Sequence, residues 1–218
     1  MRAKIACLRH AQGAPRTGEL ARQHLAIADR HLDAARVRLV LVGGLPGTGK
    51  STVAQHLADR GVGVVLSSDE TRKELAGLRH DDPAAARFDQ GLYQPATTAR
   101  TYEELRRRAH RLLAHGESVI LDASWHSSAE RDRAARLAAS VAAELVQLVC
   151  RCPATLADER LRIRQAGASD ATPEIAHRMA ELAEPWPEAV VVDTSGSTGR
   201  SIDQSVTALA TPGPAPVP

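Results

Sequence analysis

Residues Gly44-Leu45-Pro46-Gly47-Thr48-Gly49-Lys50-Ser51 fill every position of the pattern G-x-x-x-x-G-K-[ST]. The chemistry such a segment performs is the holding of phosphate. Glycines let backbone N–H groups converge on phosphate oxygens without Cβ interference. A helix that starts at the lysine adds a favourable field for anions. Lys50 is placed to reach β- and γ-phosphates, and the Ser51 hydroxyl to ligate Mg²⁺. Gly44, Leu45, Pro46, Gly47, Thr48, Gly49, Lys50, Ser51 and Thr52 therefore form the candidate nucleotide-binding set, with ATP and Mg²⁺ as the implied ligands. The alternative is a glycine-rich strand–helix turn that holds nothing. Flanking sequence speaks against it. Val37 to Val42 is a β-branched and Leu-rich run, and Val53, Ala54 and Leu57 follow at helical spacing.

Two further polar clusters follow hydrophobic runs. Asp122 ends the run Val119-Ile120-Leu121, where an acidic side chain can hold Mg²⁺ beside Ser51 or merely cap a turn. Asp69 and Arg72 lie in Ser67-Ser68-Asp69-Glu70-Thr71-Arg72, one helical turn apart. A carboxylate there can take the proton of an attacking hydroxyl, and an arginine can hold an acceptor or a moving phosphoryl group. The competing reading is an N-cap Asp with an ordinary ion pair. Arg160 and Arg164 share a helix face and can neutralise transferring phosphate, or form a solvated basic face. Gly167 to Asp170 has the composition of a lid. His126 follows the same strand as Asp122, where it can touch substrate, though a lone histidine is more often structural. Trp125 either stacks on an acceptor ring or fills the core. Arg100, Arg106, Arg107, Arg108 and Arg111 read as a solvated face, and His24 with His31 has no third ligand in sight.

These clusters need a frame that brings strand ends together. Strand runs lie at 37–42, 63–67, 118–121, 144–150 and 189–192, and helical runs at 50–60, 69–76, 97–114, 127–140, 153–166 and 172–183. Alternating strands and helices predict an α/β fold, a five-stranded parallel sheet with helices on both faces, and a ligand at the carboxyl ends of the strands. Thr172-Pro173-Glu174 reads as a helix start, with Thr172 as N-cap. Residues 1–36 read as a helical extension, two helices broken at Gly13-Ala14-Pro15. Residues 37–210 read as the nucleotide domain, and the Pro-rich 211–218 as a disordered tail.

Composition sets the bounds. Aromatics are 2%, so the core must come from Leu, Val, Ile and Ala. The 28 basic and 26 acidic residues nearly balance, which does not favour nucleic acid or a membrane surface as partner. Cys7, Cys150 and Cys152 give no disulfide framework and read as thiols in a reducing cytoplasm. No apolar run is long enough to span a bilayer, and the opening residues do not form a signal peptide.

With GGLPGTGKST, SSDETRKEL, VILDASW and ERLRIR in this order, the chain resembles phosphate-loop kinases of the polynucleotide kinase and zeta-toxin-like family over about 37–193. That likeness implies the phosphate-loop NTPase fold, Asp69 as general base, Arg72 on the acceptor, and Arg160 and Arg164 as lid arginines. The family's D-A-T-N stands here as Asp122-Ala123-Ser124-Trp125. The chain also resembles the C-terminal kinase domain of bifunctional proteins with an aminoglycoside-phosphotransferase-like first domain. RAKIACLRHAQG, GLYQPATTARTY and EPWPEA carry this likeness, which implies a partner domain on the N-terminal side. The expected function is γ-phosphoryl transfer from ATP to a hydroxyl of a small molecule or nucleic-acid end. The alternatives are a nucleotide-binding regulatory module with little or no transferase activity, and a toxin acting on a nucleotide sugar. Residues Asp193 to Ser195 are expected to edge the base pocket.

Overall fold

The computed structural model describes residues 1–79, 94–163 and 171–210. Met1–Arg36 and Val37–Pro218 are separate compact units. In the first, α1 (Arg2–Ala11) and α2 (Thr17–Ala34) are joined through Gly13, at φ 84°. The small residues Ala6 and Ala21 are its buried positions among the described residues.

The second unit starts with β1 (Arg38–Gly43), whose residues Leu39 to Val42 are all at 0% exposure. A strand with alternating polar residues would be wet on one side; this unbroken apolar run has a helical layer on each face. There follow α3 (Lys50–Asp59), β2 (Val64–Ser67), α4 (Ser68–Leu75), α5 (Pro95–Ala114), β3 (Val119–Asp122) and α6 (Ser128–Ser140). The unit continues with β4 (Glu144–Arg151), α7 (Ala154–Ile163), α8 (Pro173–Glu181), β5 (Val190–Asp193) and α9 (Thr198–Ala210). All pairings are parallel, in the order β2-β3-β1-β4-β5.

Alternation along the strands divides the core in two. Leu39, Leu41, Val119 and Leu121 pack with Leu105, Ala109 and Leu113 of α5 and Ala134 and Ala138 of α6. Val40, Val42 and Ile120 pack on the other face with Val53, Ala54 and Leu57 of α3 and Ala208 and Leu209 of α9. The result is a three-layer α/β/α sandwich around a five-stranded parallel sheet, as the alternation of runs predicts. Leu, Val, Ile and Ala fill most of the layers, but the first face also buries Tyr102, Trp125 and Trp186, so the few aromatics the chain has are concentrated there.

Register then sets the site. Val42 and Ser67 both pair with Asp122, so β1, β2 and β3 end level. The three polar clusters that follow them must share one edge of the sheet.

Local boundaries follow from caps. Ser67, not Asp69, is the N-cap of α4 and accepts from the Glu70 amide. The N-cap reading of Asp69 is thereby overturned, and its carboxylate is released to the cleft. Thr172 caps α8 with Pro173 in its first turn, as predicted. α9 is absent from the predicted elements. Its buried positions Ser201, Ile202, Ser205, Ala208 and Leu209 keep helical spacing, but two of them are serines. Ser201 donates to the Asp193 carbonyl at 2.8 Å and Ser205 to the Ser201 carbonyl at 2.8 Å, so hydroxyls stand where an apolar stripe is sought. The expected lid at 167–170, Arg164 and the tail 211–218 lie outside the described residues.

Candidate active site

The phosphate loop runs from β1 into α3 with Gly44, Gly47 and Gly49 at φ 138°, 80° and 82°. Gly49 is the N-cap of α3 and supplies no side-chain cap, which leaves the first-turn N–H groups for a ligand. Thr48 closes the loop by donating from its hydroxyl to the Leu45 carbonyl at 2.7 Å. A Cβ on Gly44 would lie 2.7 Å from the Cys150 carbonyl, and one on Gly47 would lie 2.5 Å from the Ala157 carbonyl. The loop is thus wedged between β4 and α7.

Asp122 is 4% exposed and Lys50 8%. Burial pushes the Asp122 carboxyl up; the Lys50 cation and the Ser51 hydroxyl pull it down, and Asp69 and Glu70 push it further up. Its Oδ1 has no hydrogen-bond partner among the described residues. A buried carboxylate oxygen left open beside a serine hydroxyl and a phosphate loop is the donor set a Mg²⁺–nucleotide fits. No group of three or more His, Cys, Asp or Glu side chains able to hold a metal occurs among the described residues. Magnesium suits such an open site, because it keeps several waters and completes its shell with phosphates.

Asp69 and Arg72 border a cleft of about 320 Å³ together with Lys50, Ser124, His126 and Glu130. Arg72 Nη1 donates to Asp69 Oδ1 at 2.6 Å, both side chains being largely buried. On the other side of the loop, a smaller cleft of about 220 Å³ is lined by Gly49, Thr52, Arg160, Thr194 and Ser201. Arg160 spans it, donating to the Thr194 carbonyl at 2.8 Å and the Gly47 carbonyl at 3.5 Å. Thr194 Oγ1 lies 2.7 Å from the Thr48 carbonyl, so the end of β5 is stitched to the loop.

A family model described as AAA domain matches residues 39–186, more than half of the chain. The chain belongs to the AAA domain family. An uncharacterized protein of Mycobacterium tuberculosis is 40% identical over 207 residues, which are 94% of this chain and 41% of that protein. The chain therefore spans well under half the length of the curated relatives it matches. A sugar kinase from Janibacter shares the fold with TM-score 0.60 at 19% identity, over 80% of this chain and 95% of that one. An APS kinase of Mycobacterium tuberculosis, solved with AMPPNP and APS, does so with TM-score 0.58 at 20% identity, over 81% and 99%.

In this AAA domain the predicted set separates around the loop. Lys50, Asp69 and Arg72 meet in the larger cleft, and Gly49 and Thr52 face the smaller one. Arg160 sits on the smaller side, bound to backbone carbonyls, rather than beside Asp69. Thr194, in the expected base-pocket segment, lines that smaller cleft. Trp125 is core: it is 1% exposed, packs edge-on to Tyr102 at 5.1 Å and donates from Nε1 to the Leu121 carbonyl. Arg106 and Arg108 are not a simple solvated face; they pair with Glu130 and with Glu104 and Glu74. Burial drives the Cys150 thiol up to about 12, so it is inert. No helix among the described residues is long and apolar enough to cross a membrane.

Tyr102 is not among the predicted site residues, and Ser124 stands only in the cluster after the third strand run, with no role of its own. Tyr102 lies in the middle of α5, 23 positions from the Trp125 amide it meets, and a single sequence carries no signal for that pairing. Ser124 was within reach of prediction, two residues beyond Asp122 at the strand end.

Proposed function

We propose that the chain is an ATP-dependent kinase that phosphorylates a hydroxyl. The observation that carries this reading is the meeting of Lys50, Asp69 and Arg72 in one cleft beside the phosphate loop. A kinase needs an acceptor place next to its phosphate place, and a nucleotide-binding module does not. Fold likeness to a sugar kinase and an APS kinase supports the same class.

In this reading the base lies in the smaller cleft and the phosphates run along Gly44 to Ser51 toward the larger one. The acceptor oxygen attacks the γ-phosphorus; an O–P bond forms and the bond to the β-phosphate oxygen breaks, releasing ADP. Asp69 takes the hydroxyl proton, and Arg72 holds its carboxylate in place until then. Lys50 neutralises charge on the moving phosphoryl group. Ser51 and Asp122 would hold Mg²⁺, which supplies further charge neutralisation at the phosphates. Arg160 holds the loop by its carbonyls, and Arg164 is assigned to the lid. Residues 37–210 form the kinase domain and 1–36 a helical extension.

The test is ATP consumption by the purified chain with Mg²⁺ against sugars, aminosugars, nucleosides and 5′-hydroxyl oligonucleotides, with Asp69→Ala in parallel. Acceptor-stimulated turnover that falls at least about a hundredfold in the variant, with nucleotide affinity kept, supports the kinase. Tight ATP binding with no stimulated turnover across the panel supports the regulatory module instead.

A further inference from the structure

The larger cleft carries information about the acceptor itself. Among the described residues its charged side chains are Lys50, Asp69, Arg72 and Glu130, two cations and two anions. Each already faces an opposite charge of the protein. Lys50 sits in the field of Asp122. Arg72 is bound to Asp69 at 2.6 Å, and Glu130 is held by both Arg106 and Arg133. A carboxylate or phosphate on the acceptor would displace one of these pairs and bury a charge for no net gain.

Tyr102, Ser124 and His126 in the same lining are oriented by hydrogen bonds. Trp125 stands at φ 53°, a strained conformation for its type, and its amide donates to the Tyr102 hydroxyl at 3.2 Å. Arg131 fixes the same turn by donating to the Trp125 carbonyl at 2.7 Å. The Tyr102 oxygen lies 3.2 Å from Ser124 Oγ, and Ser124 Oγ lies 2.9 Å from His126 Nδ1. Direction follows by elimination. Tyr102 is 2% exposed, its hydroxyl proton needs an acceptor, and Ser124 Oγ is the one within reach among the described residues, so its proton goes to Ser124. Ser124 then donates to Nδ1. An accepting Nδ1 leaves the ring proton on Nε2.

The volume of about 320 Å³ corresponds to roughly ten waters, room for a molecule of about a dozen heavy atoms. We propose that this cleft takes an uncharged, hydroxyl-rich small molecule as the phosphoryl acceptor, with His126 Nε2–H donating to one of its oxygens. Ser124 and Tyr102 are positioning residues that set the ring. The inference rests on the kinase reading for the step, in which the attacking oxygen's proton still goes to Asp69.

The experiment uses the full chain with Mg²⁺ and two matched probe pairs: glucose against gluconate, and a nucleoside against its 3′-monophosphate. The ¹⁵N imidazole spectrum of His126 is read first, then binding beside a non-hydrolysable ATP analogue, then ATP turnover. The expected spectrum has Nδ1 bare and Nε2 protonated; a protonated Nδ1 overturns the inference whatever the turnover. The neutral member of at least one pair is expected to exceed its anionic partner in kcat/KM by about tenfold or more. His126→Ala is expected to raise the acceptor KM about tenfold with kcat little changed, and His126→Gln, whose amide N–H₂ reaches the Nε2 position, to recover most of it. Ser124→Ala should weaken the neutral probe less than His126→Ala does. A preference for the anionic members, binding of neither class, or a His126→Ala KM equal to wild type overturns the inference. Turnover of anions alone leaves the kinase standing without it; binding of the neutral probe with no turnover leaves this site standing without the kinase.

Discussion

Gly47 occupies an unspecified position of the phosphate-loop pattern, yet the structure gives it two reasons to be glycine. Its φ is 80°, and a Cβ there would lie 2.5, 3.0 and 3.1 Å from the O, C and Cα atoms of Ala157. Those atoms are backbone of α7 and cannot swing aside. An L-residue in the left-handed region costs roughly 1–2 kcal/mol. Forcing a methyl into packed backbone adds about 1–3 kcal/mol. Gly47→Ala should therefore lose about 2–5 kcal/mol, a fall in Tm of roughly 4–20 °C for a domain of this size.

Gly49 and Gly61 provide controls for the two terms. They stand at φ 82° and 76°, but a Cβ on Gly49 meets nothing nearer than 3.8 Å and one on Gly61 nothing within 4 Å. Each alanine there should cost the conformational term alone, roughly 2–8 °C in Tm. Circular dichroism melts of the three variants check the order, and a fluorescent ATP analogue checks affinity. Gly61→Ala should bind nucleotide as wild type does, because the turn after α3 lies away from the loop. Gly47→Ala should bind more weakly still than its stability loss suggests, because moving α7 moves Arg160 off the Gly47 and Thr194 carbonyls. Equal melting losses for Gly47→Ala and Gly61→Ala would refute the wedge between the loop and α7.

Thr194→Val removes the hydroxyl that ties β5 to the Thr48 carbonyl and should cost about 1–3 kcal/mol, with weaker nucleotide binding read by the same titration. The His126 ring is held below its ordinary value of 6.5, chiefly by burial, with Arg131 adding and Glu184 and Glu130 opposing. Below that ordinary value the unfolded chain takes a proton the folded ring resists, so stability is lost as pH falls through the window just under 6.5. Melts of wild type and His126→Gln across that window should show the flatter curve in the variant. Iodoacetamide at neutral pH should label exposed Cys7 and leave Cys150 intact in the folded chain, as peptide mass mapping would show.

The phosphate loop, the β1 run and the Asp that ends β3 are local patterns whose physics lies within a few residues, and they are legible as such. So was the sheet, because five apolar runs separated by helical ones leave little choice but parallel crossovers. α9 was not legible, because serines bonded to nearby carbonyls occupy its buried stripe. Nor was the Tyr102–Ser124–His126 chain, since its first link joins α5 to the turn after β3. The fate of Arg160 illustrates the same limit. Its spacing from Arg164 announces a shared face but says nothing of which side of the loop that face meets, and contact with Gly47 and Thr194 decides it.

The division of the site by the loop has a mechanical consequence. Gly49 and Thr52 open to one cleft and Lys50 to the other, so neighbouring residues of one helix turn line both clefts. Anything that rotates the start of α3 must change both places at once. Three elements resist such rotation: Ala157 of α7 against Gly47, Thr194 at the end of β5 on Thr48, and Cys150 of β4 against Gly44. All three stand on the side of the sheet away from Asp69 and His126. The larger cleft is shaped by α4, α5 and the turn after β3, and that turn also holds the loop, the Gly44 amide donating to the Ser124 carbonyl at 3.3 Å, so the two clefts are mechanically tied.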